Sequence, residues 1–353
     1  MSKVFRSFIL LCFVCLLTSC VSTGDRQSLA RKKQAKINTK AARYYNEGLI
    51  SLRDNDLRRA IRLFEKSVRV NPEDPWPFNA MGVAYGRLGM FEKEVACYDK
   101  AIRLDPQFAE ALNNRGIALH MLGRYDEARR SLEDAIRADF QYESAHVNLG
   151  IVLASQKQYE LALLSMDNAL RFNPSSERAL FNKGLVLEET GRWEGALSCY
   201  ERLLQLRPRS PEVHLHEAAC LDRLGRAEEA LAALDEALKD KPDFSEAFYQ
   251  QGLIHEKLTR YDEAVKSFDK AVGYLSSHAE AHHGKARSLL KLGQREAALA
   301  ASNSALRAKP EFVEALRTKA MILQEMGKDD EAKAALAEAA ELEAKPQPTP
   351  PAK

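Results

Sequence analysis

Gly48, Gly82, Gly116, Gly150 and Gly184 stand 34 residues apart, and Ala218, Gly252, Ala286 and Ala320 continue the series without an insertion. Twelve residues after each of these comes a second small residue, from Ala60 through Ala128 and Ala162 to Ala332, interrupted only by Glu94. Four residues further lies a large-residue slot, filled by Phe64, Tyr98, Leu132, Met166, Tyr200, Leu234, Phe268 and Leu336 and lost only at Ser302. A period this regular confines the chain to a tandem array in which each unit is one supersecondary element stacked on its neighbours.

Within a unit such as 109–139, apolar residues fall at helical spacing in two stretches parted by "GRYDEA". The glycine of that turn recurs as Gly89, Gly123, Gly191, Gly225, Gly293 and Gly327, with Asn55 in the first unit, and it suits a left-handed helix end. Acids such as Asp126 and Glu127 then fall in the first turn of the second helix, where the dipole favours negative charge, so they read as structural. Pro72, Pro106, Pro174, Pro208, Pro242 and Pro310 close the second helix and turn the chain into the next unit. One helix pair cannot bury its apolar face alone. The predicted fold is therefore all-α, an α-solenoid with one continuous core and a long open concave side.

These slots, in phase through nine units over residues 41–344, resemble the tetratricopeptide repeat family. The resemblance implies a right-handed superhelix of helix-turn-helix repeats. It places His146, His214 and His282 in a slot that the family fills with Trp or another large residue, and His255 in its tyrosine slot, all as packing substitutes. Glu94 in the alanine slot and Phe140 in a proline slot are expected to loosen repeats two and three. Ser276, within "YLSSHAEAHH", marks the junction before repeat eight as a hinge, and the closing "EAKAALAEAAELEAK" reads as a polar cap.

The same resemblance assigns positions two, five, six, nine, twelve and thirteen of each unit to the concave surface, counting the recurring glycine as eight. Position six reads Asn46, Ala80, Asn114, Asn148, Asn182, His216, Gln250, Gly284 and Thr318. That partial ladder is similar to the asparagine ladder in the superhelical arm of the O-linked N-acetylglucosamine transferase, which binds extended peptide backbone. A carboxamide offers a donor and an acceptor together, so a row of them can pair with successive peptide groups. Asn79, Asn113, Phe181 and Tyr249 at position five complete the candidate peptide-binding groove. Asparagine is also a tolerated residue on any helix surface. The Lys and Asn of the family's carboxylate clamp are missing, since positions five and nine read Tyr45 and Leu49, then Asn79 and Val83.

At the start, Lys3 and Arg6 precede an apolar run, Phe8 to Leu17, too short to span a bilayer that needs about 20 residues. Residues 1–19 read as an export signal. "LTSC" at its end resembles a bacterial lipobox, which implies that Cys20 is acylated, carries palmitate and anchors the mature protein as a lipoprotein. Val21 in place of an aspartate favours the outer membrane, periplasmic face. A soluble exported protein and a cytoplasmic protein with an accidental apolar start are the alternatives. Residues 20–40, rich in Lys and Arg, read as a flexible basic tether, and 345–353, "KPQPTPPAK", as a disordered Pro-rich tail. Cys97, Cys199 and Cys220 read as buried thiols, with a Cys199 to Cys220 bridge as the minority alternative.

No H-E-x-x-H, G-x-x-x-x-G-K-[ST] or G-x-G-x-x-G motif is present, so the expectation is no enzyme, no cofactor and no metal site. His278 and His282, four apart, are the nearest approach to a ligand pair. Charge is almost balanced at +2 overall, which leaves no footprint for nucleic acid. Partners are expected to be proteins, with the membrane engaged through the amino-terminal lipid; the oligomeric state stays open. A lipobox joined to such repeats looks like lipoproteins that assist pilus or secretin assembly, or that recruit cell-wall hydrolases. The rival readings are a substrate-recognition subunit of an envelope enzyme complex and a self-associating structural protein.

Overall fold

The computed structural model describes residues 39–344, and every regular element among them is an α-helix. Two helices build each repeat. They are α1 (Thr39–Arg53) and α2 (Leu57–Val70), α3 (Pro75–Arg87) and α4 (Phe91–Leu104), α5 (Ala109–Met121) and α6 (Tyr125–Ala138), α7 (Glu143–Ser155) and α8 (Tyr159–Phe172), then α9 (Glu177–Glu189) and α10 (Trp193–Leu206). The series continues with α11 (Pro211–Arg223) and α12 (Ala227–Asp240), α13 (Ser245–Lys257) and α14 (Tyr261–Tyr274), α15 (Ala279–Lys291) and α16 (Arg295–Ala308), and ends with α17 (Val313–Glu325) and α18 (Asp329–Ala344). The chain divides into two compact units, residues 1–186 and 187–353, the boundary falling inside α9.

The repeating glycine exists because a side chain crosses it. In the first unit, a Cβ built on Gly48 would lie 2.5 Å from the Phe64 ring, one on Gly82 2.4 Å from Tyr98, and one on Gly150 2.6 Å from Met166. In the second unit Gly252 stands in the same relation to Phe268, at 2.4 Å. The large slot of the second helix is thus pressed onto the bare backbone of the first. Where Ser302 replaces the large residue, its hydroxyl is fully buried and donates to the Ala315 carbonyl at 3.1 Å.

The turn between the two helices is left-handed in all nine repeats. Its glycines have φ between 71° and 77°, and Asn55, Lys157 and Thr259 adopt φ of 60°, 60° and 58° at the same position. Lys157 and Thr259 do so without the steric freedom of glycine.

The departures from the pattern are accommodated locally. Glu94 is buried, accepts a hydrogen bond from the Tyr98 hydroxyl at 3.1 Å, and lies against Gly86, where an added Cβ would meet its carboxylate at 2.5 Å. Phe140 and Ser276 each keep the turn between repeats closed, because an imidazole bridges back to them. His146 Nε2 donates to the Phe140 carbonyl at 3.0 Å and His282 Nε2 to that of Ser276 at 3.0 Å, as His214 Nε2 does to Pro208 at 3.2 Å. The family's large slot therefore holds a side chain that packs and also satisfies a turn carbonyl. The junction at Ser276 carries the same bond as those at Phe140 and Pro208.

Cys97, Cys199 and Cys220 are buried and enter no disulfide, so Cys199 and Cys220 are not bridged. Thr39 and Lys40, the end of the segment read as a tether, belong to α1. The export signal, Cys20, the rest of the tether and the tail lie outside the described residues. Among the described residues no helix is long and apolar enough to cross a membrane.

Candidate functional site

In the first unit two of the asparagines expected to form a ladder, Asn114 and Asn148, are joined through Asn79 and Asn113 of position five. Asn79 Nδ2 donates to Glu110 Oε1 at 3.0 Å, and Asn79 Oδ1 accepts from Asn114 Nδ2 at 3.2 Å. Asn114 Oδ1 accepts from Asn113 Nδ2 at 3.3 Å, Asn113 Oδ1 from Asn148 Nδ2 at 2.7 Å, and Asn148 Oδ1 from the Arg178 guanidinium at 2.7 Å. The result is a head-to-tail chain of carboxamides running through α3, α5, α7 and α9, with a carboxylate at one end and a guanidinium at the other. All four asparagines are buried. Each uses one N–H and one lone pair in the chain, half of its capacity.

The remaining candidates stand apart from this chain. Asn46 is exposed on α1, Phe181 is buried, and the buried Asn182 turns Nδ2 back to the Arg178 carbonyl at 2.8 Å. In the second unit the buried His216 holds Glu188 through Nδ1 at 3.0 Å and stacks on Tyr200, ring centroids 5.4 Å apart. Tyr249 is half-buried with its ring 4.8 Å from that of His278, and Gln250 Nε2 donates to Glu246 at 2.9 Å.

A single offset explains which residues meet. Position five of one repeat pairs with position six of the next, 35 residues on: Asn79 with Asn114, Asn113 with Asn148, and His283 with Thr318 at 2.9 Å. Positions twelve and thirteen obey the same step, in His120 with Ser155 at 2.9 Å and in Asp222 with Lys257 at 2.8 Å. Where position five is apolar, as at Val147 and Leu215, the carboxamide it would have met bonds within its own helix, as Asn182 and Gln250 do. These couples were readable along the diagonal of the repeat alignment; read down the columns, His120, His283 and Ser155 carry no signal. Burial pushes the imidazoles of His120 and His283 down to about 4, so both are neutral at physiological pH.

Two further rows border the candidate groove. Position nine of the first unit reads Leu49, Val83 and Ile117, half-buried, followed by the buried Ile151 and Leu185. Position two of the second unit reads Glu212, Glu246, Glu280 and Glu314. Lys241 pairs with Glu212 at 3.2 Å and Lys309 with Glu280 at 3.3 Å, while His278 lies 3.6 Å from both Glu246 and Glu280. His278 Nδ1 also accepts from the Ala281 amide at 3.3 Å, whereas His282 is turned to the Ser276 carbonyl, so the two imidazoles have separate partners. Among the described residues, no group of three or more His, Cys, Asp or Glu is arranged to hold a metal ion.

Family models described as tetratricopeptide repeat match residues 41–74, 78–108, 97–130, 122–177, 147–211, 187–251, 245–274 and 283–347. No curated protein matches the chain. Among solved structures, pilF of Pseudomonas aeruginosa aligns with a TM-score of 0.52 at 21% identity, covering 59% of this chain and 94% of that one. A tetratricopeptide repeat protein from Parabacteroides merdae gives 0.52 at 16% identity, covering 71% and 100%. The hetero-tetramer Cut9-Hcn1 of the APC/C gives 0.52 at 16% identity, covering 76% and 52%. At these identities the likeness is one of fold.

Proposed function

The chain belongs to the tetratricopeptide repeat family, whose members bind other proteins, and we propose that it is a non-enzymatic scaffold held by lipid at Cys20 to a bacterial envelope membrane. Its site is at the outer membrane, facing the periplasm, and its role is assembly of an envelope machine such as a pilus, a secretin or a cell-wall enzyme complex. The partner contributes an extended or helical segment to the concave face. The observation that carries this reading is the pairing of two rows in the first unit. Aliphatic side chains at Leu49, Val83 and Ile117 retain accessible surface, and beside them runs the buried, mutually bonded carboxamide chain through Asn79, Asn113, Asn114 and Asn148. An apolar strip with polar groups of both kinds beside it suits a polypeptide whose backbone must be satisfied as its side chains are buried.

The reading is tested by extracting the full chain from membranes together with its partners and identifying them by mass spectrometry. Val83→Glu with Ile117→Glu is expected to lose the partners while keeping helix content. Cys20→Ser is expected to leave the partners bound but release the protein from the membrane fraction. Retention of every partner by the double variant refutes the groove, and an unacylated mature amino terminus refutes the anchor.

A further inference from the structure

The two ends of the repeat array display complementary halves of a junction that recurs inside it. Position ten of each later repeat is buried against the repeat before. Ala84 packs in one core cluster with Phe64 and Ala60, and Ile322 in one with Ala298 and Ala301. Position 24, the large slot, is buried in repeats one to eight, and in the second unit Phe268 is covered by repeat eight, where a Cβ on Gly284 would lie 2.5 Å from its ring. Position three meets position 27 of the preceding repeat, as Ala111 meets Ala101, Ala145 meets Ala135 and Ala315 meets Ala305.

Among the described residues repeat one is the first of the array and repeat nine the last. Ile50, at position ten of repeat one, is 51% exposed, whereas its equivalents Ala84, Val152, Ile254 and Ile322 are all buried. Leu336, at position 24 of repeat nine, is 42% exposed, whereas Phe64, Leu132, Leu234 and Phe268 are fully buried. The closing helix, read from composition as a polar cap, therefore leaves its core-slot leucine in water. Charge is complementary as well. Helix α1 carries Lys40 and Arg43 on its opening turns, and α18 carries Glu338, Glu341 and Glu343 on its closing ones, the last paired with Arg317 at 2.7 Å. Arg43 departs from the internal junction, standing where the later repeats have alanine, proline or valine. It is exposed and ion-paired with Glu47 at 2.9 Å, and its long side chain can exchange that partner for those carboxylates across the junction.

We propose that a second copy of this chain stacks its first repeat on the ninth repeat of the first copy, with Ile50 covering Leu336 as consecutive repeats cover one another within the chain. Such a contact is heterologous, so it does not close at a dimer and adds copies in one direction. One junction between repeats is small, so association is weak and depends on concentration, and salt weakens it through the α1 to α18 charges. The groove stays open to its partner in every copy but is not used in the contact, which separates this inference from the proposed binding role.

Sedimentation velocity on the full chain over a wide concentration range tests it. The expected result is an average mass that rises through dimer without a plateau and falls back in high salt. Ile50→Lys and Leu336→Lys, both at exposed positions, are each expected to stay monomeric with unchanged circular dichroism. Mixed in equal amounts they are expected to reach twice the monomer mass and stop, because each retains one intact half. Arg43→Glu is expected to weaken association and remove its salt dependence. A mass independent of concentration in the parent chain, association by either lysine variant alone, or a monomeric mixture would each overturn the proposal.

Discussion

Asn148 donates a hydrogen bond to Asn113 at 2.7 Å across 35 residues of sequence, and both side chains are buried. This bond gives the asparagine row a structural task in addition to any contact with a partner, since it ties successive inner helices together. Truncating one member strands the buried partner's amide, which costs about 1–3 kcal/mol. Asn113→Ala and Asn148→Ala are therefore expected to lower the urea midpoint, while Asn46→Ala, on an exposed position of α1, changes stability by no more than about 0.5 kcal/mol. Equal midpoints for Asn46→Ala and Asn148→Ala would show that the chain of carboxamides holds nothing together.

Thr259 occupies a left-handed turn position at φ 58°, which six other repeats fill with glycine. A β-branched residue is strained there by about 1–2 kcal/mol. Replacing it by glycine relieves that strain at the cost of a more flexible unfolded chain, so Thr259→Gly is expected to raise stability by on the order of 1 kcal/mol. The reverse change, Gly293→Thr, is expected to lower it by a similar amount. Thermal melts of the two variants decide the matter, and a loss of stability in Thr259→Gly contradicts the strain.

The helix boundaries were legible in the sequence because they depend on local terms that repeat. Glycine at the turn and acid in the next helical turn recur at the same positions, and from repeat two onward each first helix begins 34 residues after the last. The site was less legible, because its contacts join residues in different repeats. Nothing in the local environment of Asn113 says that its partner is Asn148, or that Asn182 will turn inward because Val147 offers it no acceptor. The histidines at the turn show the same limit: their size was readable from the slot they fill, whereas their bonds to the carbonyls of Phe140, Pro208 and Ser276 depend on the path of the turn.

Those bonds make the turn at repeat eight testable. His282→Leu keeps an apolar side chain of similar bulk in the slot but leaves the Ser276 carbonyl without its imidazole donor. The exposed setting limits the cost to about 0.5–1 kcal/mol. Amide hydrogen exchange across 275–282 is expected to speed up in that variant, with the turn at Pro208 unchanged. Uniform exchange in both proteins would mean that the imidazole only fills space.

Glu94 and Gly86 form a matched pair, an acid where the pattern has alanine and a glycine where the carboxylate needs room. Burial pushes the Glu94 carboxyl up from the ordinary 4.5 to about 8, with the Tyr98 hydrogen bond opposing. Between these values the folded chain holds a proton that the unfolded chain has released, so stability falls as pH rises through that window and levels off above it. Glu94→Gln removes the slope, and its gain over the parent is expected to grow from near zero at about pH 4 to about 4 kcal/mol at about pH 8. Gly86→Ala forces a Cβ to within 2.5 Å of the carboxylate and is expected to destabilise the parent. In the Glu94→Ala background the same change is expected to cost little, since alanine returns the space. Melting temperatures of the two single variants and the double variant measure that coupling, and strictly additive effects would separate the two residues.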